Sequence, residues 1–399
     1  MLDFFKSLGG LPRTVWLIGF ISLVNDSASE MLYPLLPLYL TSVLMAGPKV
    51  LGLIEGIAES TSSLLKLVSG VVVDHTKKSK PWIVIGYLIA GIGRPLIAFV
   101  NSWGWLLFIR FSDRIGKGLR TSPRDALLAE SVPKDKRGLV FGFHRSMDNA
   151  GAVIGPLLAA FLLSIDMPLR DIFLWAIIPA VITLVLALSL KEPNTVPRTE
   201  VSDFRWSFEG MSPEFKRYLF VTGLFALGNS SDMFLLLRAR ELGIPQAQIP
   251  LLWAAVSLVT TVFGAPLSAI SDRYGRRQFI LVAWVGFVIF YFGMGMPELS
   301  SYALFGLFTL YGLFKAATEG VERAMVADLA PIGRSGAAFG WFNLITGLMV
   351  LPASLIFGEV YESIGPSYAF WFSGSCAIFA IVLLKFWVFR RSINIKFSK

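Results

Sequence analysis

Cysteine is almost absent: Cys376 is the one thiol in the chain, so no intramolecular disulfide can form. Histidine is nearly as scarce, with two in 399 residues, and the eleven methionines are scattered. A His-rich metal site or a soft-metal pathway therefore has no ligand cluster to draw on, and the methionines read as packing or lipid-facing residues. Charge is thin as well. Asp, Glu, Lys and Arg make up 16% of the residues against 55% hydrophobic, with a mean hydropathy of +0.65, far from the balance of a soluble domain. These shortages exclude a disulfide scaffold and leave a polytopic membrane protein. The opening MLDFFKSLGGLPR has no short apolar core followed by a small-residue cleavage site, so the first apolar run is expected to stay as a spanning helix.

A window of about 20 residues, the length that crosses a bilayer core, finds twelve segments: 14–43, 50–72, 81–101, 105–131, 138–164, 170–190, 216–240, 249–271, 277–297, 301–329, 336–360 and 366–389. The one long polar stretch, KEPNTVPRTEVSDFRWSFEGMSPEFKR, falls between the sixth and the seventh; its prolines and charges mark a linker. The expectation is an all-α polytopic membrane protein, twelve transmembrane helices in two six-helix bundles. Residues 1–190 form the first bundle, 191–215 a cytoplasmic linker and 216–399 the second.

Basic residues set the orientation. Lys77, Lys78 and Lys80, then Lys134, Lys136 and Arg137, the linker, and Arg273, Arg276 and Arg277 all fall on one side, against Lys49, Arg170, Arg238 and Arg240 on the other. Both termini are therefore expected in the cytoplasm, with the protein in the cytoplasmic (inner) membrane. The net charge of +9 has the same origin. Cations dispersed over loops suit anionic lipid headgroups and not nucleic acid, so the bilayer is an expected partner and nucleic acid is not.

The two halves repeat. GVVVDHTKKSK follows segment two and SAISDRYGRR follows segment eight, placing Asp74 and Asp272 198 positions apart. Glu130 and Asp328 keep the same offset, as does the FG pair at 141–142 and 339–340. Several matches at one offset argue for an internal duplication, a build found in transporters.

The loop GAPLSAISDRYGRR meets the pattern G-x-x-x-D-[RK]-x-G-[RK]-[RK] through Ser268, Asp272, Arg273, Gly275, Arg276 and Arg277, and Gly70, Asp74, Lys77 and Lys78 meet it more loosely. Gly142, Gly151, Gly155 and Pro156 fit G-x8-G-x3-G-P-x2-G-G in segment five, with Ala159 and Ala160 at its last two glycines, and Arg114 with Gly118 fits R-x3-G in segment four. With these motifs the sequence resembles the major facilitator superfamily over its whole length. The resemblance implies the fold of that family. It also implies proton-linked antiport, because the segment-five motif is a mark of exporters of drugs and small organic molecules. Asp74 with Lys78 and Glu130, and Asp272 with Arg273, Arg276 and Asp328, would then form charge clusters that lock the cytoplasmic side; the alternative is a purely topogenic loop. GAVIG in segment five also has a packing role, the close approach of one helix to a neighbour.

Charges inside the apolar segments are the second signal. LVNDSASEML interrupts segment one with Asp26 and Glu30, one helical turn apart. In segment four Arg110, Arg114, Lys117 and Arg124, with Asp113 and Arg120 beside them, repeat at helical spacing, where each unpaired charge costs several kcal/mol. At 1.5 Å per residue, Asp26, Glu30, Glu55, Glu59, Arg94, Arg114, Lys117 and Asp232 all lie about 18–25 Å from the cytoplasmic end of their segments. In the family, helices one, four, seven and ten line a central cavity, which implies that Asp26, Glu30, Arg114, Lys117, Asp232 and Glu319 face it, with Glu55 and Glu59 as neighbours. An acid poised between desolvation and nearby arginines can take up and release a proton. Asp26 and Glu30 are thus either coupling acids or counter-ions to segment four, and Arg145 with Asp148 reads as a structural ion pair.

RIGKGLRTS lacks the spacing of a phosphate loop. A membrane enzyme needs a concentrated catalytic constellation, and a receptor does not explain so many buried charges. The sequence predicts a secondary transporter that moves a small organic molecule by alternating access as a proton-coupled exporter. The alternative is a proton symporter importing an organic anion such as a carboxylate or a siderophore-like chelator. No catalytic residue, cofactor or metal is expected, and the chain is expected to act as a monomer.

Overall fold

Within a bilayer every backbone N–H and C=O must be satisfied inside the protein, which leaves helices for apolar runs of this length. The computed structural model follows that rule. It describes residues 10–76, 78–133, 136–192, 208, 210–331 and 335–389, with backbone alone at 70–76, 138 and 335–337. Most of the expected linker, 193–207 and 209, lies outside the described residues. No strand occurs among the described residues.

The helices are α1 Arg13–Leu32, α2 Leu36–Ser42, α3 Pro48–Thr76, α4 Lys80–Leu96, α5 Trp103–Glu130, α6 Arg137–Ser164, α7 Leu169–Trp175 and α8 Ile177–Leu188. After the linker come α9 Pro213–Gly228, α10 Met233–Glu241, α11 Ile249–Tyr274, α12 Arg276–Met294, α13 Ser301–Leu329, α14 Ser335–Ser363 and α15 Pro366–Leu383. Eight stretches are long and apolar enough to cross a membrane. Four others of comparable length, 13–42, α3, α5 and α13, carry the interior charges Asp26, Glu30, Glu55, Glu59, Arg110, Asp113, Arg114, Lys117, Lys315 and Glu319. Eight and four make the twelve spans expected.

Three spans are interrupted among the described residues, segment six only at Ala176 between α7 and α8. Pro34 and Pro37 lack the N–H that an unbroken helix needs, and a 3-10 turn at Tyr33–Leu35 separates α1 from α2. In segment seven, Asn229, Ser230, Ser231 and Asp232 part α9 from α10. Serine and asparagine offer the backbone partners outside the helix ladder: the Ser231 N–H donates to Ser354 Oγ at 3.2 Å, and the Met233 N–H to Ser231 Oγ at 3.3 Å.

The chain divides into two compact units, 1–44 with 61–203 and 45–60 with 204–399. The boundary crosses α3, so residues 45–60 depart from the sequence-based expectation that 1–190 forms one bundle. Small residues account for this. A Cβ at Gly52 would collide with the Ser354 carbonyl, and one at Gly56 would lie 2.9 Å from Leu351. The bare backbone of α3 thus rests on α14, where Ser60 Oγ donates to Gly347 O at 3.0 Å and Lys49 Nζ lies 2.7 Å from Glu359.

In the first unit, α4 and α5 close on each other at Gly86 and Gly116, where a Cβ on Gly86 would stand 2.6 Å from the Gly116 carbonyl. An apolar cluster of Val15, Ile18, Ile21, Ile83, Leu127 and Val140 lies buried beside them. The core of the second unit is aromatic. Phe225 stacks on Trp284 at 4.1 Å, Phe287 on Tyr291 at 4.1 Å, and Phe290 on Tyr311 at 4.5 Å, adding ring-on-ring attraction to the area that they bury.

Candidate functional site

The acid-bearing stretch of α1 lies under the glycines of α6. A Cβ on Gly151 would be 2.7 Å from Leu23 O and 3.0 Å from Asp26 Cβ, and one on Gly155 would be 2.6 Å from Met31 N. Pro156, next to Gly155, is buried. Gly142 takes no part in this seam: it is exposed, and a Cβ there would meet nothing within 4 Å. The reason is azimuth. At about 100° per residue, nine residues turn the helix through two and a half revolutions, so Gly142 faces away from Gly151.

Around this seam the first unit gathers its charges. Arg94 on α4 donates from Nη1 to Asn25 O at 3.1 Å and Asn25 Oδ1 at 3.0 Å, and from Nε to Asp113 Oδ1 at 3.2 Å. Asn25 Nδ2 in turn donates to Asp26 Oδ1 at 2.8 Å, so an unbroken chain links Asp113, Arg94, Asn25 and Asp26. Arg110 Nη1 approaches Asp113 Oδ2 at 3.9 Å. Arg114 is buried and acts on Asp113; half-buried Lys117 acts on Asp26, as do Arg120, Arg124 and Asp148. Arg120 donates to Gly86 O at 3.2 Å and lies 4.7 Å over the Tyr87 ring, and Gly118 is pressed against Leu65 and the Ser62 carbonyl. Glu30 is half-buried on the same helix as Asp26.

Asp148 faces more than Arg145. Its Oδ2 lies 3.5 Å from His144 Nδ1, and His144 Nε2 lies 2.8 Å from Ser22 Oγ. Arg145 is exposed and adds its charge to Asp148.

The second unit centres on Asp232, at the start of α10. Its carboxylate does not cap that helix; it accepts from Tyr311 Oη, and from Lys315 Nζ at 2.9 Å, both on α13. Lys315 Nζ also lies 5.1 Å above the Trp253 ring and 5.7 Å from the Tyr311 ring, a cation held by aromatic faces as well as by an acid. Glu319, one turn beyond Lys315, is exposed, whereas Glu322 accepts from Trp284 Nε1 at 3.0 Å. Glu55 is buried and Glu59 half-buried on the part of α3 that belongs to this unit.

The loop motif of the second half is assembled. Gly275 joins α11 to α12 at φ +95°, a conformation that favours glycine. The bend brings Arg276 back onto Asp272 at 2.8 Å and across to Asp328 at 2.7 Å, with Nη1 donating to Ala324 O at 3.0 Å. Arg273 is exposed beside them. In the first half, Lys77 lies outside the described residues, and Gly70 and Asp74 are described by their backbone alone; Lys78 is exposed, and Glu130 is half-buried at the end of α5.

Sequence reasoning missed Asn25, His144, Tyr311, Lys315 and Glu322. Lys315 carried a readable signal, a lone cation in the apolar run YGLFKAATEG one turn before Glu319.

The family model of the Major Facilitator Superfamily matches residues 15–236 and again 218–399. An uncharacterized MFS-type transporter of Methanocaldococcus jannaschii is 33% identical over 383 residues, covering 94% of this chain and 95% of its own. The multidrug resistance protein MdtH of Proteus mirabilis is 24% identical over 321 residues, 78% of each chain. Among solved structures, a POT family transporter superposes with a TM-score of 0.79 at 13% identity, covering 96% of this chain and 97% of that one. A D-xylose-proton symporter superposes with a TM-score of 0.74 at 15% identity over 93% and 96%. A charged interior on a twelve-span helical frame, built twice along the sequence, thus has its counterpart in transporters and not in enzymes, and this multi-pass membrane chain belongs to the Major Facilitator Superfamily.

Proposed function

We propose that this transporter exports a small organic molecule in exchange for protons, by alternating access, from an inner membrane with both its termini in the cytoplasm. The observation that carries the reading is the seam between α1 and α6. The motif shared with proton-linked exporters and the acids of α1 are a single packed element, with Gly151 on Asp26. A relative named for multidrug resistance supports export.

The test uses reconstituted vesicles with an imposed pH gradient and a panel of dyes, sugars, organic acids and chelators. Asp26→Asn and Glu30→Gln conserve shape. If either acid carries the coupled proton, gradient-driven movement falls at least about tenfold, about 1.4 kcal/mol, while gradient-free exchange partly survives. If both are counter-ions, folded protein is lost instead, by about 3–5 kcal/mol for a broken buried pair. Well-folded variants with a full pH response remove both from the proton path.

The second reading, symport of an organic anion, is favoured by one feature. A proton on Asp232 would free Lys315 for an anion, so the two ligands would bind cooperatively.

The Asp272–Arg276–Asp328 cluster is proposed to lock the cytoplasmic side. Asp272 is 61% exposed, so Asp272→Asn is expected to cost under about 1 kcal/mol of stability. Its turnover should nevertheless drop several-fold as the population shifts toward the inward-open form. Correctly inserted Asp272→Asn protein with normal transport would reduce the motif to a topogenic loop.

A further inference from the structure

We propose that Asp26 and Asp148 form one proton-holding pair across the α1–α6 seam, with the Ser22–His144 hydrogen bond as the relay that serves it. This rests on the proton-coupled reading above and names the site at which the proton resides.

The geometry begins with Gly151. Its missing side chain lets the α6 backbone lie on Leu23 O and on Asp26 Cβ. Asp148 is one turn before Gly151 on α6, and Ser22 is one turn before Asp26 on α1, so the two acids and the hydroxyl meet at consecutive levels of one helix pair. His144 closes the arrangement. It is 4% exposed, and it reaches Ser22 Oγ at 2.8 Å with Nε2 and Asp148 Oδ2 at 3.5 Å with Nδ1.

The groups acting on the pair come from three helices. From α5, Arg124, Lys117 and Arg120 act on Asp26, and Arg124 and Asp125 act on Asp148. From α6 itself come His144 and Arg145, and from α1 Ser22. Arg124 does not belong to the pair alone, since its Nε and Nη2 both donate to Asp125 Oδ1, at 3.2 and 3.1 Å. Asp148 Oδ1 is buried and accepts no hydrogen bond from the described residues. Two neighbouring carboxylates with a divided counter-charge are best satisfied by one proton between them, and such a pair titrates as a unit.

A Ser–His–Asp order also fits acyl transfer, but Ser22 is buried within α1. The N–H groups around it are engaged in the helix ladder, so none is aimed at an oxyanion. Proton handling needs no such donors.

The test titrates the purified full-length protein in detergent, following the protonated-carboxyl band by infrared difference spectroscopy, with helicity and monodispersity checked for each variant. Asp148→Asn is expected to move the midpoint of Asp26 down by at least about one pH unit, because a like charge has gone. Asp26→Asn should do the same to Asp148, and the double variant should lose the step. The reciprocal variant reads the same coupling if one of the two does not fold. His144→Gln should leave the midpoint in place but slow proton release after a pH jump at least about tenfold. Midpoints unchanged in both single variants overturn the pair, and unchanged release kinetics in His144→Gln overturn the relay. A shared proton combined with unaltered gradient-driven transport in Asp148→Asn would leave the pair standing and sink the coupling reading beneath it.

Discussion

Asp113→Ala is expected to remove most of the folded protein, with a loss of about 3–5 kcal/mol. Asp113 is the acid on which Arg94 and Arg110 converge, at 3.2 and 3.9 Å, and the side chains of the Arg94–Asp113 pair are 7% and 4% exposed. Arg94 keeps its bonds to Asn25 when the acid is gone, but its charge and that of Arg110 stay buried beside Arg114. Cation repulsion then adds to desolvation. Asp113→Asn retains an acceptor for Arg94 Nε and should fall between wild type and alanine. Arg94→Met combined with Asp113→Leu, which removes both charges of that pair and conserves volume, should recover part of the loss, the share due to Arg110 remaining. The measurement is the monodisperse fraction after detergent extraction, together with the thermal midpoint. An alanine variant within about 1 kcal/mol of wild type would mean that water reaches this site and that the cluster is not a dry structural element.

How far that cluster was legible shows what a membrane sequence discloses. The twelve spans follow from hydropathy because the bilayer imposes one length on every helix. Four of them fall short in apolarity and carry most of the interior charges, so the defect in hydropathy is itself a signal, although Arg94, Asp148 and Asp232 lie in spans that pass as apolar. Depth was legible too, at a fixed rise per residue. Azimuth was not. Depth brought Arg94 and Asp26 to one level, yet Arg94 bonds to Asn25 and Asp113, and Asp26 receives the Asn25 amide. Selecting a partner at one depth requires the rotation of each helix and the identity of its neighbour, and neither has a period in the sequence.

The loop motif was legible for the opposite reason. Asp272 and Arg276 are one turn apart and Gly275 supplies the bend, so sequence spacing nearly fixes the geometry, and Asp328 completes it from the end of α13. The break at Asn229–Asp232 lay hidden because segment seven reads as one apolar run. Its polar tetrad announces a broken helix once Ser354 is seen to receive the freed Ser231 N–H. Broken spans of this kind are where transporters build sites, and this one delivers Asp232 to Tyr311 and Lys315.

That delivery underlies the second large effect. Asp232→Asn and Lys315→Met are each expected to lower transport of a compound found in the vesicle panel at least about tenfold, about 1.4 kcal/mol, with little change in folded yield. Stability is spared because the pair is partly open, with side chains 18% and 34% exposed. Lys315 also retains the faces of Trp253 and Tyr311 when the acid is neutralised. If the two residues act as one switch, the double variant should be no worse than the poorer single, because breaking either side already disables the pair. Losses that instead multiply to about a hundredfold would mean that Asp232 and Lys315 act on separate steps. The same cycle distinguishes the two transport readings by its pH dependence. In anion symport, Asp232→Asn mimics the protonated acid and leaves Lys315 ready for the anion, so anion exchange without a gradient should persist while acid stimulation disappears. In antiport of a cation, the substrate needs the Asp232 carboxylate itself, and exchange should fail along with gradient-driven transport.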